Sequence, residues 1–454
     1  MSPHSVVVIG AGAAGLTAAI RAGEAGARVV LLNAHPKIGL KILMSGGTRC
    51  NVTHREVTER DFHGSSRNAI ARVLRAFTSE QSREWFESLG VGLKLEETGK
   101  YFPATDDAQT VLDALLGAVE RAGVEVESGA RVVRLGRTTG ASPTSAASTA
   151  AAPHFRIGIQ DVGASAAFDD GRVAAHGGDA WELPAVEPSR WLEADRVMLA
   201  TGGLSFPRTG SDGVGYALVT SLGHTLVAPV PALTPLTSTD ALCSTVQGLT
   251  YEAELALWVG ERVVERVSGS LLVAHFGFSG PAALDLSRHW HRAGEGAAAG
   301  ARRVTLNSLP GETRESLTDA WVKVAKFNPQ VTVKKHYAAR VPERLFARLC
   351  QEAGVTPGTA MGQVTREQRA MLIERLVARD LAVTGTLGYE KAEVTAGGVP
   401  LAEVNTATME SRVCPGLYLC GEILDVEGRL GGFNFQWAWS SGTVAGRAAG
   451  TRTR

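Results

Sequence analysis

The sequence predicts an α/β fold in which a parallel, dinucleotide-binding sheet is interrupted by an inserted domain of strands and helices. Three observations support this prediction. Residues 5–33 have the pattern of a strand, a glycine-rich turn, a helix and a second strand. Residues 225–307 alternate with the period of antiparallel strands, and the stretch after Pro415 again has the small residues of a nucleotide-binding turn. We therefore predict three segments: nucleotide-binding parts at 1–224 and 388–454, and an insert at 225–387.

The N-terminal segment carries its glycines between a buried strand and a helix. In such a turn the first glycine permits the tight bend, the second lets a pyrophosphate approach, and the third lets the helix pack on the sheet. The helix N-terminus then offers free N–H groups and the positive end of its dipole to the phosphates. A purely structural turn is the alternative. The flanking elements favour nucleotide binding by Gly10, Gly12, Ala13, Ala14 and Gly15.

The second strand ends in an amide, Asn33, where dinucleotide-binding units usually have an acid for the ribose hydroxyls. An amide also bonds a hydroxyl, but without charge. We therefore expect Asn33 to bind the ribose, and other residues to determine which nucleotide binds.

Composition excludes several classes of protein. Lys plus Arg equals Asp plus Glu, 46 against 46, so no global field attracts nucleic acid or an anionic membrane, and a small-molecule substrate is favoured. The five cysteines form no CxxC pair and no metal-ligand spacing, which predicts a reducing, cytoplasmic location without a metal site. No apolar run is long enough to span a membrane. The oligomeric state stays open.

The segment from His35 to Asn51 is predicted to be a loop beside a flat ring system. Two adjacent glycines remove side chains there, and cations offset phosphate charge. Such a loop suits a flavin. Because Cys50 is alone, we expect a packing role for it and no dithiol relay. The predicted cofactor contacts are Lys41, Ser45, Gly46, Gly47, Arg49 and Asn51.

Two capping boxes predict helices, one from Thr78 with Gln81 and one from Asp106 with Gln109. Short strands are expected at 124–126 and 131–135. In two-dinucleotide-domain flavoproteins the backbone of such a strand contacts the adenine, which makes Val132 a candidate contact by its position. The stretches 136–154 and 161–190 are rich in Ala, Gly, Ser and Thr and are predicted to be loops around a strand at 155–159.

A buried strand from Asp195 ends in Ala200-Thr201-Gly202, which we expect to return the backbone to the nucleotide. An ordinary exit from a strand is the alternative. Arg208 follows in a glycine- and hydroxyl-rich loop, and it is a candidate catalytic cation for a carboxylate or phosphate. A solvated arginine is the other interpretation.

The insert contains His275 in the turn-rich sequence His-Phe-Gly-Phe-Ser-Gly-Pro. We carry His275 forward as a candidate acid–base residue, with a structural histidine as the alternative. Amphipathic helices are predicted within 310–379, at 343–353 and 367–378.

The pattern of the C-terminal stretch, Pro415 to Gly446, is typical of nucleotide-binding structure. A short strand delivers Gly421 and Glu422, whose carboxylate can accept hydrogen bonds from a ribityl chain. A helix is predicted to begin near Asn434, and its dipole would stabilise negative charge at the flavin N1–C2=O edge. A packed terminal helix is the alternative. The predicted contacts are Gly421, Glu422, Asp425, Gly432, Phe433 and Asn434.

Four separated motifs together resemble the BaiN/YhiN family of FAD-dependent oxidoreductases, which includes aminoacetone-oxidase-like proteins. They are Lys41 to Asn51, Thr201 to Gly213, His275 to Pro281, and Gly421 to Ala438. The resemblance implies FAD, a Rossmann-like two-dinucleotide-binding flavoprotein fold split by an inserted β-barrel and helical domain, and redox chemistry on a small organic substrate. The chain departs from the family at Asn33, at Thr48, where glycine is usual, and in the insertions after Gly136.

The expected chemistry is hydride transfer between a substrate carbon and flavin N5. Only one GxGxxG motif is present, so we expect no resident NAD(P)H domain. Either the substrate reduces the flavin directly or NAD(P)H binds transiently as the reductant, and reoxidation is by oxygen or by a second organic acceptor. The sequence does not separate an oxidase from a reductase. A flavin-binding sensor without turnover is the alternative from another class. A tRNA-modifying flavoenzyme is disfavoured by the balanced charge.

Overall fold

The computed structural model describes residues 4–138, 154–162, 181–294 and 302–451. The chain divides into two compact units, Met1–Val230 with Glu393–Arg454, and Pro231–Ala392. Most of the Ala- and Ser-rich stretches that were predicted to be loops lie outside the described residues.

The strands of the described residues are β1 Ser5–Ile9, β2 Arg28–Asn33, β3 Thr53–His54, β4 Phe62–Gly64, β5 Leu93–Leu95, β6 Lys100–Pro103, β7 Glu125–Ser128, β8 Ala130–Thr138, β9 His154–Asp161, β10 Arg190–Ala194, β11 Arg196–Leu199, β12 Val227–Ala232, β13 Leu236–Ser238, β14 Thr250–Val259, β15 Arg262–Ala274, β16 Gly277–Ser279, β17 Arg302–Asn307, β18 Arg379–Leu381, β19 Val383–Thr386, β20 Val394–Gly398, β21 Val404–Asn405, β22 Glu410–Ser411, β23 Leu417–Leu419 and β24 Val426–Gly428. The α-helices are α1 Ala13–Glu24, α2 Leu40–Thr48, α3 Arg67–Ala76, α4 Ser79–Ser88, α5 Ala108–Arg121, α6 Val214–Ser221, α7 Leu242–Thr245, α8 Pro281–Arg292, α9 Arg314–Phe327, α10 Val333–Tyr337, α11 Glu343–Glu352, α12 Arg366–Val377 and α13 Phe433–Gly450.

A seven-stranded sheet forms the centre of the first unit, in the order β21-β22-β23-β11-β1-β2-β7. Its five strands from β23 to β7 run parallel, and the β21–β22 hairpin pairs antiparallel at one edge. Val6, Val7 and Val8 of β1 are at most 2% exposed, as expected for a parallel strand covered on both faces. The predicted α/β fold is confirmed, and the glycine turn follows the central strand.

Helices α1 and α13 pack at close range beside this sheet. A Cβ at Gly442 would lie 2.6 Å from the carbonyl oxygen of Ala14, and one at Gly450 would lie 2.7 Å from that of Ala22. Gly446 lies between them in the sequence, and a Cβ there would lie 2.3 Å from the carbonyl oxygen of Ala18. Because these glycines recur every four residues, they share one helix face. This contact brings the first and last motifs of the chain together.

Two predictions about local structure need correction. The predicted loop at 35–51 contains helix α2, because buried Ile42 anchors a helical turn that breaks only at Ser45–Gly47. The Thr78 capping box is confirmed, with Thr78 N donating to Gln81 Oε1 at 2.9 Å. For α5 the predicted cap is wrong by one residue. The cap is Asp107, because the carboxylate of Asp106 instead pairs with Lys94 and Arg49.

The second unit contains a seven-stranded antiparallel sheet in the order β18-β17-β14-β15-β16-β13-β19. Strands β18 and β19 lie at opposite ends of this order but are separated only by Ala382. The sheet therefore curls until its two ends come together, as in a barrel. Helices α8, α9, α11 and α12 bury apolar side chains in the same core, among them Leu286, Trp321, Leu345 and Leu372.

None of the helices in the described ranges combines the length and the apolar character needed to cross a lipid bilayer.

Candidate functional site

The three glycines of the N-terminal turn differ in the protein atoms that surround them. Gly10 has a left-handed φ of 105°, and a Cβ there would overlap the carbonyl oxygen of Ala200. A Cβ at Gly15 would overlap the carbonyl oxygen of Gly10. At Gly12, the N-cap of α1, a Cβ would meet no protein atom within 4 Å. The fold itself requires Gly10 and Gly15, whereas Gly12 leaves open space at the N-terminus of a helix.

Asn33 connects this turn to the chain that follows β2. Its Oδ1 accepts a hydrogen bond from the N–H of Ala11 at 3.3 Å. Its Nδ2 donates to the carbonyl oxygens of His35 at 2.6 Å and Lys37 at 3.1 Å. Both amide hydrogens are used, so a ribose hydroxyl would find only the second lone pair of Oδ1. Ribose binding by Asn33 stays a prediction with that restriction.

The segment from Ser45 to Asn51 has an unusual backbone. Gly46, Gly47, Thr48 and Cys50 all have left-handed φ values, between 57° and 69°. The N–H groups of Arg49 and Cys50 both donate to the carbonyl oxygen of Ser45 and close this left-handed turn. At Gly47 a Cβ would meet no protein atom within 4 Å, so there is open space over this residue.

Thr48→Gly is expected to stabilise the protein by about 1 kcal/mol. Thr48 is exposed and β-branched, and its φ of 69° is one that glycine adopts without strain. The free energy of unfolding in urea measures the effect. Thr110→Gly, within helix α5, is the matched control and is expected to destabilise the protein. A loss of stability in Thr48→Gly would show that the threonine is not strained.

Lys41 and Glu422 lie at the centre of a polar cluster. Lys41 Nζ contacts Glu422 Oε2 at 2.9 Å and Ser205 Oγ at 2.8 Å. Glu422 Oε1 accepts hydrogen bonds from Ser205 Oγ at 2.7 Å and from the N–H of Thr395 at 2.9 Å. One carboxylate therefore holds α2, the chain after β11 and strand β20 together. Ser205 and Thr395 were not identified from the sequence, because nothing in their own neighbourhoods marks them as partners of Glu422.

Glu422→Ala is expected to weaken FAD binding about tenfold while the sheet stays folded. The substitution leaves Lys41 and the fully buried Ser205 without their shared acceptor. FAD titration into the apoprotein measures the affinity. Glu422→Gln keeps an acceptor oxygen for Ser205 and Thr395 and is expected to lose less. Equal affinities of Glu422→Ala and the wild type would exclude a role of this carboxylate in the cofactor site.

Two residues of the Ser45–Asn51 segment are engaged within the protein. Arg49 Nη1 pairs with Glu96 at 2.7 Å, and its guanidinium lies 4.0 Å from the ring centre of Phe102. Its charge is thereby balanced, and phosphate binding by Arg49 stays a prediction. Cys50 is buried, and burial raises the pKa of its thiol to about 12. A thiol of that acidity is inert at neutral pH, in agreement with the predicted packing role.

The start of helix α13 lies against the Ser45–Asn51 segment. A Cβ at Gly432, the N-cap, would lie 2.7 Å from Asn51 Oδ1. Phe433 is fully buried and stacks on His54 with ring centres 4.9 Å apart. Asn434 exchanges two hydrogen bonds with the backbone of Gly428, at 2.8 and 2.9 Å. The side chains of Phe433 and Asn434 thus fix the start of the helix, which leaves its backbone N–H groups as the contacts for a cofactor.

The remaining predicted contacts lie in the same unit. Ala200 donates its N–H to Ile9 O at 2.9 Å and packs on the Gly10 turn, with Thr201 and Gly202 following directly. Gly421 lies over the start of α1, where its Cβ would be 2.7 Å from that of Ala14. Asp425 Oδ2 accepts from Ser65 Oγ at 3.3 Å. Val132 is buried in β8, a strand that contacts β2.

These residues fit FAD. Open space lies over Gly12 and Gly47, where a Cβ would meet no protein atom. Two buried side-chain oxygens, Asn51 Oδ1 and Thr201 Oγ1, have no hydrogen-bond partner among the described residues. A buried polar atom without a partner costs about 1–3 kcal/mol, which a bound polar ligand removes. The glycine turn and α13 meet at α1, so the first unit contains the elements needed for one dinucleotide.

The two candidate catalytic residues lie in different units. Arg208 is exposed in the first unit, and its loop reaches the chain after β2, with a Cβ at Gly210 placed 3.5 Å from that of His35. His275 is exposed in the second unit, in the turn between β15 and β16. Its ring contacts that of Phe276 edge to face, with centres 5.1 Å apart. Catalysis by either residue stays a prediction.

Comparison with known proteins agrees with the predicted resemblance. A family model described as the HI0933-like protein Rossmann domain matches residues 4–157 and 172–448. A 3-dehydro-bile acid delta(4,6)-reductase of Clostridium scindens is 32% identical over 99% of this chain and 100% of its own length. A ribosomal RNA dihydrouridine synthase of Escherichia coli is 31% identical over 97% of this chain and 96% of its own.

Among solved structures, a 3-ketosteroid-delta4-(5alpha)-dehydrogenase from Rhodococcus jostii aligns with 99% of this chain and 97% of its own. The sequence identity is 16% and the TM-score 0.44. The family match covers nearly the whole chain and includes the motifs at both ends. The chain therefore belongs to the HI0933-like family of Rossmann-type, FAD-dependent oxidoreductases.

Proposed function

We propose that the protein is a reductase that saturates a carbon–carbon double bond conjugated to a carbonyl group, with FAD as the cofactor and NAD(P)H as its transient reductant. The names of the two relatives carry this proposal. A 3-dehydro-bile acid with a delta(4,6) system has a ketone conjugated to its double bonds, and the uracil ring that becomes dihydrouridine has a double bond conjugated to a carbonyl. Both names denote the same reaction class on different molecules.

The reaction adds two hydrogens across the double bond. When bound, reduced FAD supplies a hydride from N5 to the β-carbon of the substrate. A proton must reach the α-carbon, and the carbonyl oxygen carries the negative charge until it does. We propose Arg208, an exposed cation of the first unit, as the donor of the hydrogen bond to this oxygen.

Residues of the first unit would hold the cofactor. The N–H groups at the start of α1, with the open space over Gly12, would receive the pyrophosphate. Helix α13 has no side-chain cap at Gly432, so its first N–H groups are available to a ligand. A negative charge held at such a helix end is stabilised by up to ~2 kcal/mol when partly buried. This stabilisation would favour the reduced cofactor.

Anaerobic stopped-flow spectroscopy tests the proposed reaction. The purified yellow protein is mixed with NADH or NADPH, and bleaching of the oxidised-flavin band at about 450 nm is followed. A steroid 4-en-3-one, free uridine or uridine-containing RNA is then added, and the proposal requires that one of them restores the band without oxygen. Bleaching by amines with no reoxidation by any of these alkenes would indicate an oxidase. No bleaching by any donor would indicate the flavin-binding sensor.

The names of the relatives indicate two classes of substrate, a small molecule and a uridine in RNA. The balanced charge of the chain predicts a small molecule and no nucleic acid, but the relative from Escherichia coli, at 31% identity, and a second at 28% are named for ribosomal RNA. The predicted exclusion of nucleic acid is therefore not supported. A uridine in RNA is the second candidate substrate, and a local surface of the second unit favours it. We also propose a cytoplasmic location, since all five cysteines are free thiols.

A further inference from the structure

We propose that the second unit binds the sugar-phosphate backbone of single-stranded RNA on one surface, formed by α9, α10 and the five residues that join them. We name it the α9–α10 surface and define it by Lys323, Lys326, Phe327, Lys334 and Lys335. The inference rests on the second substrate class of the proposed function, but it concerns binding alone and is tested without turnover.

The charge of this surface differs from that of the whole chain. Residues 320–342 contain five cations and no Asp or Glu, although the chain has a net charge of zero. Within this segment Lys334 pairs with Glu343 and Arg340 with Glu312. Lys323, Lys326 and Lys335 have no ion pair in the part of the chain that the structure describes. Because charges are screened beyond about 8 Å at physiological salt, a ligand responds to this local surface more than to the net charge.

The geometry presents these cations on one packed pair of helices. Helix α9 buries Leu317 and Trp321 and exposes Lys323, Lys326 and Phe327, which lie on one face at positions i, i+3 and i+4. Helix α10 buries Val333 and Tyr337 and exposes Lys334 and Lys335. The rings of Trp321 and Tyr337 lie 6.3 Å apart and hold the two helices together. The lysines of both helices are therefore exposed on one packed pair of helices.

An aromatic side chain lies among the lysines. Phe327 is 72% exposed, and Lys326 Nζ lies 5.4 Å from its ring centre. A bare aromatic ring beside cations is the combination on which unpaired bases stack while their phosphates are neutralised. The same charges would attract an anionic lipid surface, but interfacial helices turn their apolar face outward, and the apolar face of α9 is buried in the core. The observations therefore favour RNA.

The first test removes the charge of three unpaired lysines in the full-length, FAD-loaded protein. Fluorescence anisotropy with a 5′-fluorescein RNA of about 20 nucleotides measures binding between about 50 and 200 mM salt. Lys323→Gln, Lys326→Gln and Lys335→Gln together are expected to weaken binding at least about tenfold. They should also lower the slope of log K against log salt by about 2, since each phosphate contact on a single strand contributes about 0.7.

A matched control removes three charges elsewhere. Arg67, Arg72 and Arg75 are exposed on α3 of the first unit, without an ion pair among the described residues. The triple change of these arginines to Gln should leave RNA affinity within about twofold of the wild type. An equal loss in both triple variants would overturn the inference, because binding would then follow net charge. Unchanged binding by the lysine variant would overturn it as well.

The second test concerns the aromatic ring. Phe327→Ala should weaken single-stranded RNA about fivefold and leave a 20-base-pair RNA duplex unaffected, because paired bases are not free to stack. Val322→Ala, which shortens an exposed apolar side chain of the same helix, is the control and should change neither. Stronger binding to phosphatidylglycerol vesicles than to RNA at equal salt would instead assign the surface to a membrane.

Experiments can disprove the proposed reductase and the proposed RNA-binding surface independently of each other. Bleaching of the flavin by NAD(P)H, followed by reoxidation with an enone, is measured on the same lysine variant and should match the wild type. A wild-type protein that performs this cycle but does not bind RNA would overturn the surface alone. A protein that binds RNA through these lysines but shows no flavin reduction would overturn the reductase and leave the surface in place.

Discussion

Replacing Gly12 with aspartate is expected to yield a folded, colourless protein that no longer binds FAD. A side chain at this N-cap meets no protein atom within 4 Å, so the fold has room for it. The carboxylate would occupy the space reserved for the pyrophosphate and repel it, while it interacts favourably with the helix dipole in the ligand's place. The absorbance ratio of flavin to protein after purification, and after incubation with excess FAD, measures the loss.

The control for this substitution is Gly358→Asp in the second unit. Gly358 is exposed, and a Cβ there, as at Gly12, would meet no protein atom within 4 Å. We expect the Gly358 variant to keep a full complement of FAD, and both variants to show the far-UV circular dichroism of the wild type. Full FAD retention by Gly12→Asp would remove the N-terminal turn from the cofactor site.

Replacing Arg379 with leucine is expected to lower the free energy of unfolding by about 3–5 kcal/mol. Arg379 Nη1 lies 2.8 Å from Asp240 Oδ2, and its Nη2 lies 2.9 Å from Glu352 Oε1. The side chains of Arg379 and Asp240 are only 8% and 5% exposed. Without the guanidinium, Asp240 is left as a buried charge without its cation. Urea unfolding followed by circular dichroism measures the loss, and FAD content reports on the first unit separately.

The matched control is Arg303→Leu, which removes an exposed pair with Asp380 and a contact of the guanidinium with the Trp258 ring, and it is expected to cost about 1 kcal/mol. Adding Asp240→Asn to Arg379→Leu should restore part of the lost stability, because it removes the stranded charge. A cost of Arg379→Leu no larger than that of Arg303→Leu would show that the buried pair contributes little.

The same network predicts a dependence on pH. Burial acts to raise the pKa of the Glu352 carboxyl, but hydrogen bonds and charge from Arg379, with Arg348 and Arg375, hold that pKa below its ordinary value of 4.5. A carboxyl with a lowered pKa in the folded state contributes stability that is present above about pH 4.5 and is lost as the pH falls through the folded-state pKa. Arg379→Leu should reduce this acid-dependent loss.

The local sequence pattern was sufficient to predict those elements whose geometry depends on residues close together in the sequence. The strand, turn and helix at Gly10 to Gly15 and the Thr78 capping box are confirmed, because their geometry depends on residues at most a few positions apart. The start of α5 was wrong by one residue because Asp106 and Asp107 are both acceptable caps. Distant partners decide between them: Lys94 and Arg49 pair with Asp106, which leaves Asp107 to cap the helix.

By itself the sequence determined the α/β fold and the two ends of the chain that form the nucleotide-binding unit, since these follow from periodicity and short glycine motifs. The FAD-dependent family came from the resemblance of four separated motifs, which the family match confirms. Only the tertiary structure decided what each polar side chain contacts. Glu422 meets Lys41, which lies 381 positions away, and Arg379 meets Asp240, which lies 139 positions away. Pairings at such separations are set by the packing of whole elements, such as α1 on α13, and no local pattern encodes them.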